Sequence, residues 1–300
     1  MGCPKKDIHN MNSFLSEILV CPVSKAPLSL DNSGFLFAPC GFKYSETDLR
    51  VGLEFAKDWS EGQAEYESFE RCWLNTVNHP EKLLSLDNET VDVYGQIQMH
   101  GDVLDVGGAY GFVIKQAGLN PNRYVSLDPI DIDWSRLQKY EHIVKHYSIC
   151  QAAARVRGFA EFLPFADSSF DFVHMRSCID HFANPNLALM EAFRVLRRGG
   201  RLVVGISLEG SYKRDQAGLK GVLKRMASKF LALRQMIEIV KHDHHMFHPT
   251  RASLSELIER NGFKIEKEIW QQAYHNVIYL QAVRLEQLQV GFASSDELTQ

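Results

Sequence analysis

The side chains able to do chemistry lie in a few short stretches, the densest being Val103-Leu104-Asp105-Val106-Gly107-Gly108-Ala109-Tyr110-Gly111. A short apolar run meets an acid and a cluster of small residues there, which predicts a strand breaking into a tight turn before a helix. Glycine carries no Cβ, so such a turn lets a nucleotide-type ligand lie directly against the backbone. A dinucleotide is the wrong guest: it asks for G-x-G-x-x-G, and Gly107, Gly108 and Gly111 miss that spacing. A second acid, Asp128 before Pro129, stands where a carboxylate can accept hydrogen bonds from ribose hydroxyls. A third group, Met175-Arg176-Ser177-Cys178-Ile179-Asp180-His181, ends in an imidazole, which titrates near neutral pH.

These groups need an α/β frame to bring them together. Residues 112–119 read as a short helix, and 123–127 as an apolar strand closing at Asp128. Asp128 lies 17 residues beyond Gly111, a separation that fits one helix and one strand. Ligands of open parallel sheets bind outside the carboxyl ends of the strands, and all three groups fall at such ends.

The turn, written D-V-G-G-A-Y-G, resembles the first motif of class I S-adenosylmethionine-dependent methyltransferases, an acid-x-Gly-x-Gly-x-Gly turn in which Ala109 replaces the middle glycine. Gly158-Phe159-Ala160-Glu161-Phe162-Leu163-Pro164-Phe165, then Phe170-Asp171-Phe172-Val173, resembles that family's Leu-Pro-Phe segment and its fourth strand. Asn184-Pro185, the run 188–196, Gly199-Gly200 and the run 201–206 repeat its next helix, Gly-Gly turn and fifth strand. The resemblance covers residues 103–206. It implies an α/β, doubly wound seven-stranded sheet (a Rossmann-like methyltransferase fold) and S-adenosylmethionine as cofactor, leaving as S-adenosylhomocysteine. The residues it implies at the cofactor are Asp105, Gly107, Gly108, Ala109, Gly111, Asp128, Pro129, Phe159, Ala160, Glu161 and Arg176. Many relatives carry an acid for the adenine amino group where this chain has Phe159. Stacking, backbone groups around Ala160, or Glu161 reaching in must then hold the adenine.

Methyl transfer from a sulfonium is a displacement at an already activated carbon, so alignment supplies much of the rate. An acceptor hydroxyl, thiol or protonated amine also needs a base to take its proton. His181 matches a histidine often found at this place in the family, and is read as base or pocket wall, with packing at the strand–helix junction as the alternative. Asp180 is poorly set to orient it if the segment is extended, because neighbours then point oppositely. His174 reads as a residue packed in the sheet, and Cys178 as a small apolar filler.

Around this domain the chain of 300 residues divides into an N-terminal module (1–50), a helical cofactor-lid segment (51–100), the methyltransferase domain (101–285, with a lid insertion at 209–248) and a polar tail (286–300). Cys21 and Cys40 lie in a small β ribbon similar to the zinc ribbons that precede some methyltransferase domains. Ser24 and Phe37 stand at the two remaining knuckle positions, so no metal is expected. The aromatic stripe holding Trp59 and Tyr66 reads as core. Within the lid, residues 213–241 carry eight basic and two acidic side chains along one apolar helical face. That pattern suits a lid with solvated charges, a surface for a membrane or lipid-linked substrate, or an anionic partner such as a carrier protein or RNA. His244 and His245, in a run without metal-ligand spacing, are expected at the acceptor together with Tyr110.

A net charge of −4 disfavours nucleic acid as a partner. Neither an apolar run of membrane-spanning length nor a signal-peptide core is present, and a cytoplasmic place is expected. The expected function is methylation of a small molecule at O, N or C. The rivals are an RNA methyltransferase and a catalytically idle partner or scaffold protein of the same fold.

Overall fold

A computed structural model describes residues 13–32, 34–45, 48–51, 80–130, 140–147, 154–208, 248–273 and 276–286. Trp59, Tyr66, the basic stretch 213–241, His244, His245 and the tail from 287 onward lie outside the described residues.

The ribbon is built of α1 (Ser13–Ile18) and three short strands, β1 (Ser29–Leu30), β2 (Leu36–Phe37) and β3 (Lys43–Tyr44), paired antiparallel in that order. It shares one apolar core with the larger domain: Leu15, Cys21, Leu36, Tyr44 and Leu49 are buried in the same cluster as Leu104, Leu163 and Val173. Backbone bonds fasten it there, from Val20 N–H to the Pro164 carbonyl (3.0 Å) and from Leu49 N–H to the Arg157 carbonyl (2.8 Å). Lys25 adds a half-buried ion pair with Glu191 (2.5 Å). The expected module is therefore fused to the domain by burial.

Next comes α2 (Pro80–Ile97), then β4 (Val103–Val106), α3 (Val113–Gln116), β5 (Tyr124–Asp128), α4 (Glu141–Tyr147), β6 (Ala154–Arg157) and β7 (Phe170–Arg176). Helix α5 (Pro185–Val195), β8 (Leu196–Ser207), α6 (Arg251–Arg260), β9 (Phe263–Trp270) and β10 (Val277–Arg284) complete the order. Seven strands form one sheet in the order β6-β5-β4-β7-β8-β10-β9. The first five are parallel; β10 runs antiparallel to both neighbours. All four residues of β4 are buried, as a central strand covered on both faces requires. Val93, Tyr94, Ile97, Val113 and Ile114 from α2 and α3 cover one face. Leu189, Ala192, Leu254 and Ile258 from α5 and α6 cover the other, with the ribbon.

Local side-chain caps start two of the helices. Asn184 caps α5, its side chain accepting from Leu187 N–H at 3.1 Å ahead of Pro185. Thr250 and Ser253 form a reciprocal capping box on α6. One expectation changes: Gly199-Gly200 does not separate α5 from the strand. Strand β8 starts at Leu196, opposite Phe170, and regains register at Arg201 opposite Phe172, so residues 197–200 bulge within it. A Cβ on Gly200 would lie 2.8 Å from the Arg197 carbonyl oxygen, which explains the glycine.

Candidate active site

Because β5 and β7 flank β4 on opposite sides, chain direction switches above the carboxyl end of β4, the place where ligands of open α/β sheets bind. The glycine turn lies along it. Gly107 (φ +71°) and Gly111 (φ +77°) adopt left-handed backbone, and Gly111 N–H closes the turn on the Gly108 carbonyl at 2.8 Å. Gly107 N–H donates to the Leu127 carbonyl (2.8 Å), tying the turn to β5. Ala109 is also left-handed (φ +41°), an unfavourable state for a residue with a Cβ. Gly108 has no room for one: it would come 2.6 Å from Asp105 Oδ2 and 2.7 Å from Ser126 Oγ.

Asp128 closes β5 directly beside this turn. Its carboxylate accepts from Ala109 N–H (3.3 Å) and Ile130 N–H (3.0 Å), and the residue is only 8% exposed. Burial lifts its carboxyl to about 6, against those two hydrogen bonds, which favour the ionised form. Pro129 follows it in the turn, partly exposed.

Beneath the turn, register places four polar residues in one row across adjacent strands: Arg155, Ser126, Asp105 and His174. His174 Nδ1 lies 2.7 Å from Asp105 Oδ1, and the Tyr124 hydroxyl donates to Asp105 Oδ2 at 2.5 Å. With Nδ1 donating, Nε2 faces the Tyr94 hydroxyl of α2 at 3.3 Å. Arg155 donates to the Tyr110 carbonyl (3.2 Å), and Ser126 to the Ala109 carbonyl (3.3 Å). Asp105 is thus a support under the turn, bonded to His174 and Tyr124, and Tyr124, Arg155, Ser126 and Tyr94 are residues the sequence reading missed. His174 is in the sheet as expected, but as a polar partner.

Arg176, two residues further along β7, bonds Gln116 Oε1 (3.3 Å) and the Tyr94 side chain. Burial opposes its charge, yet Tyr94, Tyr279 and Asp105 hold its pKa above the usual value. Cys178 packs where expected: a Cβ on Gly107 would meet the Cys178 Cβ at 2.7 Å, and the thiol donates to the Val106 carbonyl.

Phe159 and Ala160 are buried at the head of a 3-10 turn, residues 160–162. Glu161 does not reach outward from it: its Oε1 accepts from Asn184 N–H at 3.2 Å, fastening this turn to the start of α5. Burial raises its pKa, the amides of Asn184 and Ala183 holding the rise down. Tyr110, expected at the acceptor, is 1% exposed, its ring near Phe112, and so packs inside the fold. His181 is partly buried on a 3-10 turn spanning Ile179–His181 rather than an extended segment, so the alternation argument against Asp180 does not apply.

Comparison with known proteins agrees with this arrangement. Residues 104–204 match the methyltransferase domain family. The ubiquinone/menaquinone biosynthesis C-methyltransferase UbiE of Hahella chejuensis is 30% identical over 184 residues, 58% of this chain and 70% of that protein. An uncharacterised protein of Methanocaldococcus jannaschii is 34% identical over 87 residues, 27% of this chain and 40% of that one. Among solved structures, a SAM-dependent methyltransferase of Thermotoga maritima matches with a TM-score of 0.50 at 16% identity, covering 76% of this chain and 99% of its own, a likeness of fold alone.

The chain belongs to the class I S-adenosylmethionine-dependent methyltransferases. The matched stretch spans between 40% and 70% of the length of these two relatives. The residues present suit the family's cofactor: a left-handed glycine turn at the carboxyl end of β4, with a buried carboxylate hydrogen-bonded to that same turn. No helix among the described residues is long and apolar enough to cross a membrane.

Proposed function

We propose that the protein transfers a methyl group from S-adenosylmethionine to a small-molecule acceptor at an O, N or C atom. The observation that carries this reading is the Asp128 carboxylate, held 3.3 Å from the Ala109 amide at the edge of the glycine turn. In this reading Asp128 holds the ribose hydroxyls, and the turn 107–111 lies against the methionine portion. Phe159 and Ala160 border the adenine, while Arg176 carries positive charge to the carboxyl end of β7. The bound cofactor supplies an activated methyl on a positive sulfur. The protein's own work is alignment, exclusion of water and, for a protic acceptor, removal of a proton by His181.

The likeness to the Hahella relative, a C-methyltransferase of ubiquinone/menaquinone biosynthesis, supports a small acceptor and makes carbon the first atom to try. An acceptor presented on a lipid or a carrier would use the basic stretch 213–241. Titration calorimetry with S-adenosylhomocysteine, followed by an assay of its release from S-adenosylmethionine with phenolic, amine and quinol acceptors, tests the reading. Binding in the micromolar range with turnover on one acceptor class is expected; no binding at millimolar cofactor overturns it. That negative outcome would favour an idle protein of the same fold, the reading to which the left-handed Ala109 lends weight.

A further inference from the structure

The ribbon brings together two thiols that methyl transfer does not use. Cys21 ends the segment bonded to Pro164, and Cys40 sits in the turn between β2 and β3; their Sγ atoms are 3.6 Å apart. Cys21 is fully buried and Cys40 exposed, so one sulfur is open to a solution oxidant while the other waits behind it. Ser24 N–H donates to Cys21 Sγ (3.4 Å), the Tyr44 hydroxyl lies 3.3 Å from the same atom, and the Cys40 thiol donates to Ser24 Oγ (3.3 Å). We propose that Cys21 and Cys40 are a redox modification site, closing to a reversible disulfide when a peroxide oxidises Cys40.

The step balances in two displacements. The Cys40 thiolate attacks a peroxide oxygen, the O–O bond breaks, and the leaving oxygen departs as water or alcohol, giving a sulfenic acid. The Cys21 thiolate then attacks that sulfur, the S–S bond forms, and hydroxide leaves to become water. Two thiols are oxidised by two electrons and one peroxide is reduced. Burial works against ionisation of Cys21, but the Ser24 hydroxyl and amide and the Tyr44 hydroxyl outweigh it and bring the thiol down to about 7. A neutral solution therefore supplies the resolving thiolate. The two sulfurs must close by about 1.6 Å to reach disulfide distance. The bond ties the 38–41 turn to the 21–25 turn, whose Lys25 grips the Leu163 carbonyl and Glu191.

The test uses the full reduced chain, treated with a few equivalents of hydrogen peroxide, then denatured, alkylated and digested with trypsin without reductant. Cleavage after Lys6, Lys25 and Lys43 leaves Cys21 and Cys40 on separate peptides, 7–25 and 26–43. These are expected to appear linked, 2 Da lighter than their sum, and to separate with dithiothreitol. Cys40→Ser, at an exposed position, should fold, lose the linked species and leave Cys21 alkylatable. The proposal is overturned if Cys40 advances to sulfinic acid while Cys21 stays alkylatable, if Cys40 pairs with another cysteine, or if the purified chain holds stoichiometric zinc through this pair.

Discussion

Asp105 and His174 face each other at one register level of β4 and β7, with Oδ1 and Nδ1 2.7 Å apart and both residues buried. The acid that opens the glycine motif is therefore spoken for from below. Its carboxylate has one oxygen on the imidazole and the other on Tyr124. The Cβ-free backbone of Gly108 sits directly on top. A buried polar group held this way sets the height and tilt of the turn above it.

Removing the imidazole leaves that carboxylate short of a partner on a residue only 4% exposed. His174→Ala is expected to lower the unfolding free energy by about 3 kcal/mol, read from urea denaturation. A loss below about 0.5 kcal/mol would mean that solvent or a neighbour replaces the imidazole at no cost.

Ala109 holds a left-handed backbone at φ +41°. Ala109→Gly removes the Cβ strain while adding unfolded-chain entropy, for a net gain of about 0.5 to 1 kcal/mol in stability. Thermal melting checks it, and a lower midpoint would show that the methyl group packs usefully. Gly108→Ala should do the reverse, pressing a methyl group into Asp105 and Ser126 and abolishing cofactor binding in calorimetry.

Asp128 gives a pH dependence of opposite sign for binding and for folding. Its carboxyl is raised from 3.8 to about 6, so between those values the folded chain binds the extra proton and gains stability as pH falls. The ribose needs the ionised acceptor. Affinity for S-adenosylhomocysteine should therefore be flat between pH 7 and 8 and fall about tenfold per unit below about 6. Asp128→Ala should cost about 1.5 to 3 kcal/mol of binding, and Asp128→Asn should raise stability at pH 7 while weakening binding. Affinity unchanged from pH 7 to 5 would remove Asp128 from the ribose.

His181→Ala should slow turnover about a hundredfold while leaving cofactor affinity within twofold, as a base or acceptor wall requires. Activity equal to the parent, measured on the same acceptor, would return His181 to packing.

Much of the frame was readable because it rests on local regularities. Residues 103–106 and 124–128 are short apolar runs, Asn184-Pro185 and Thr250 carry their own caps, and Asp128 is announced by its distance from Gly111. The place of Glu161 was not readable, for a different reason. A carboxylate beside a cofactor motif looks the same in sequence whether it faces a ligand or the first amides of a helix, and here it bonds Asn184 N–H.

By itself the sequence determined the glycine turn and the acid beside it, which follow from neighbours a few residues apart, and through its family resemblance the class of fold. Only the tertiary structure decided that Arg155, Ser126, Asp105 and His174 form one row, that the ribbon shares the domain's core, and that Cys21 meets Cys40. Those relations join residues from separate strands and turns. They depend on which strands lie side by side and in what register, and pairing across a sheet leaves no periodic mark along the chain.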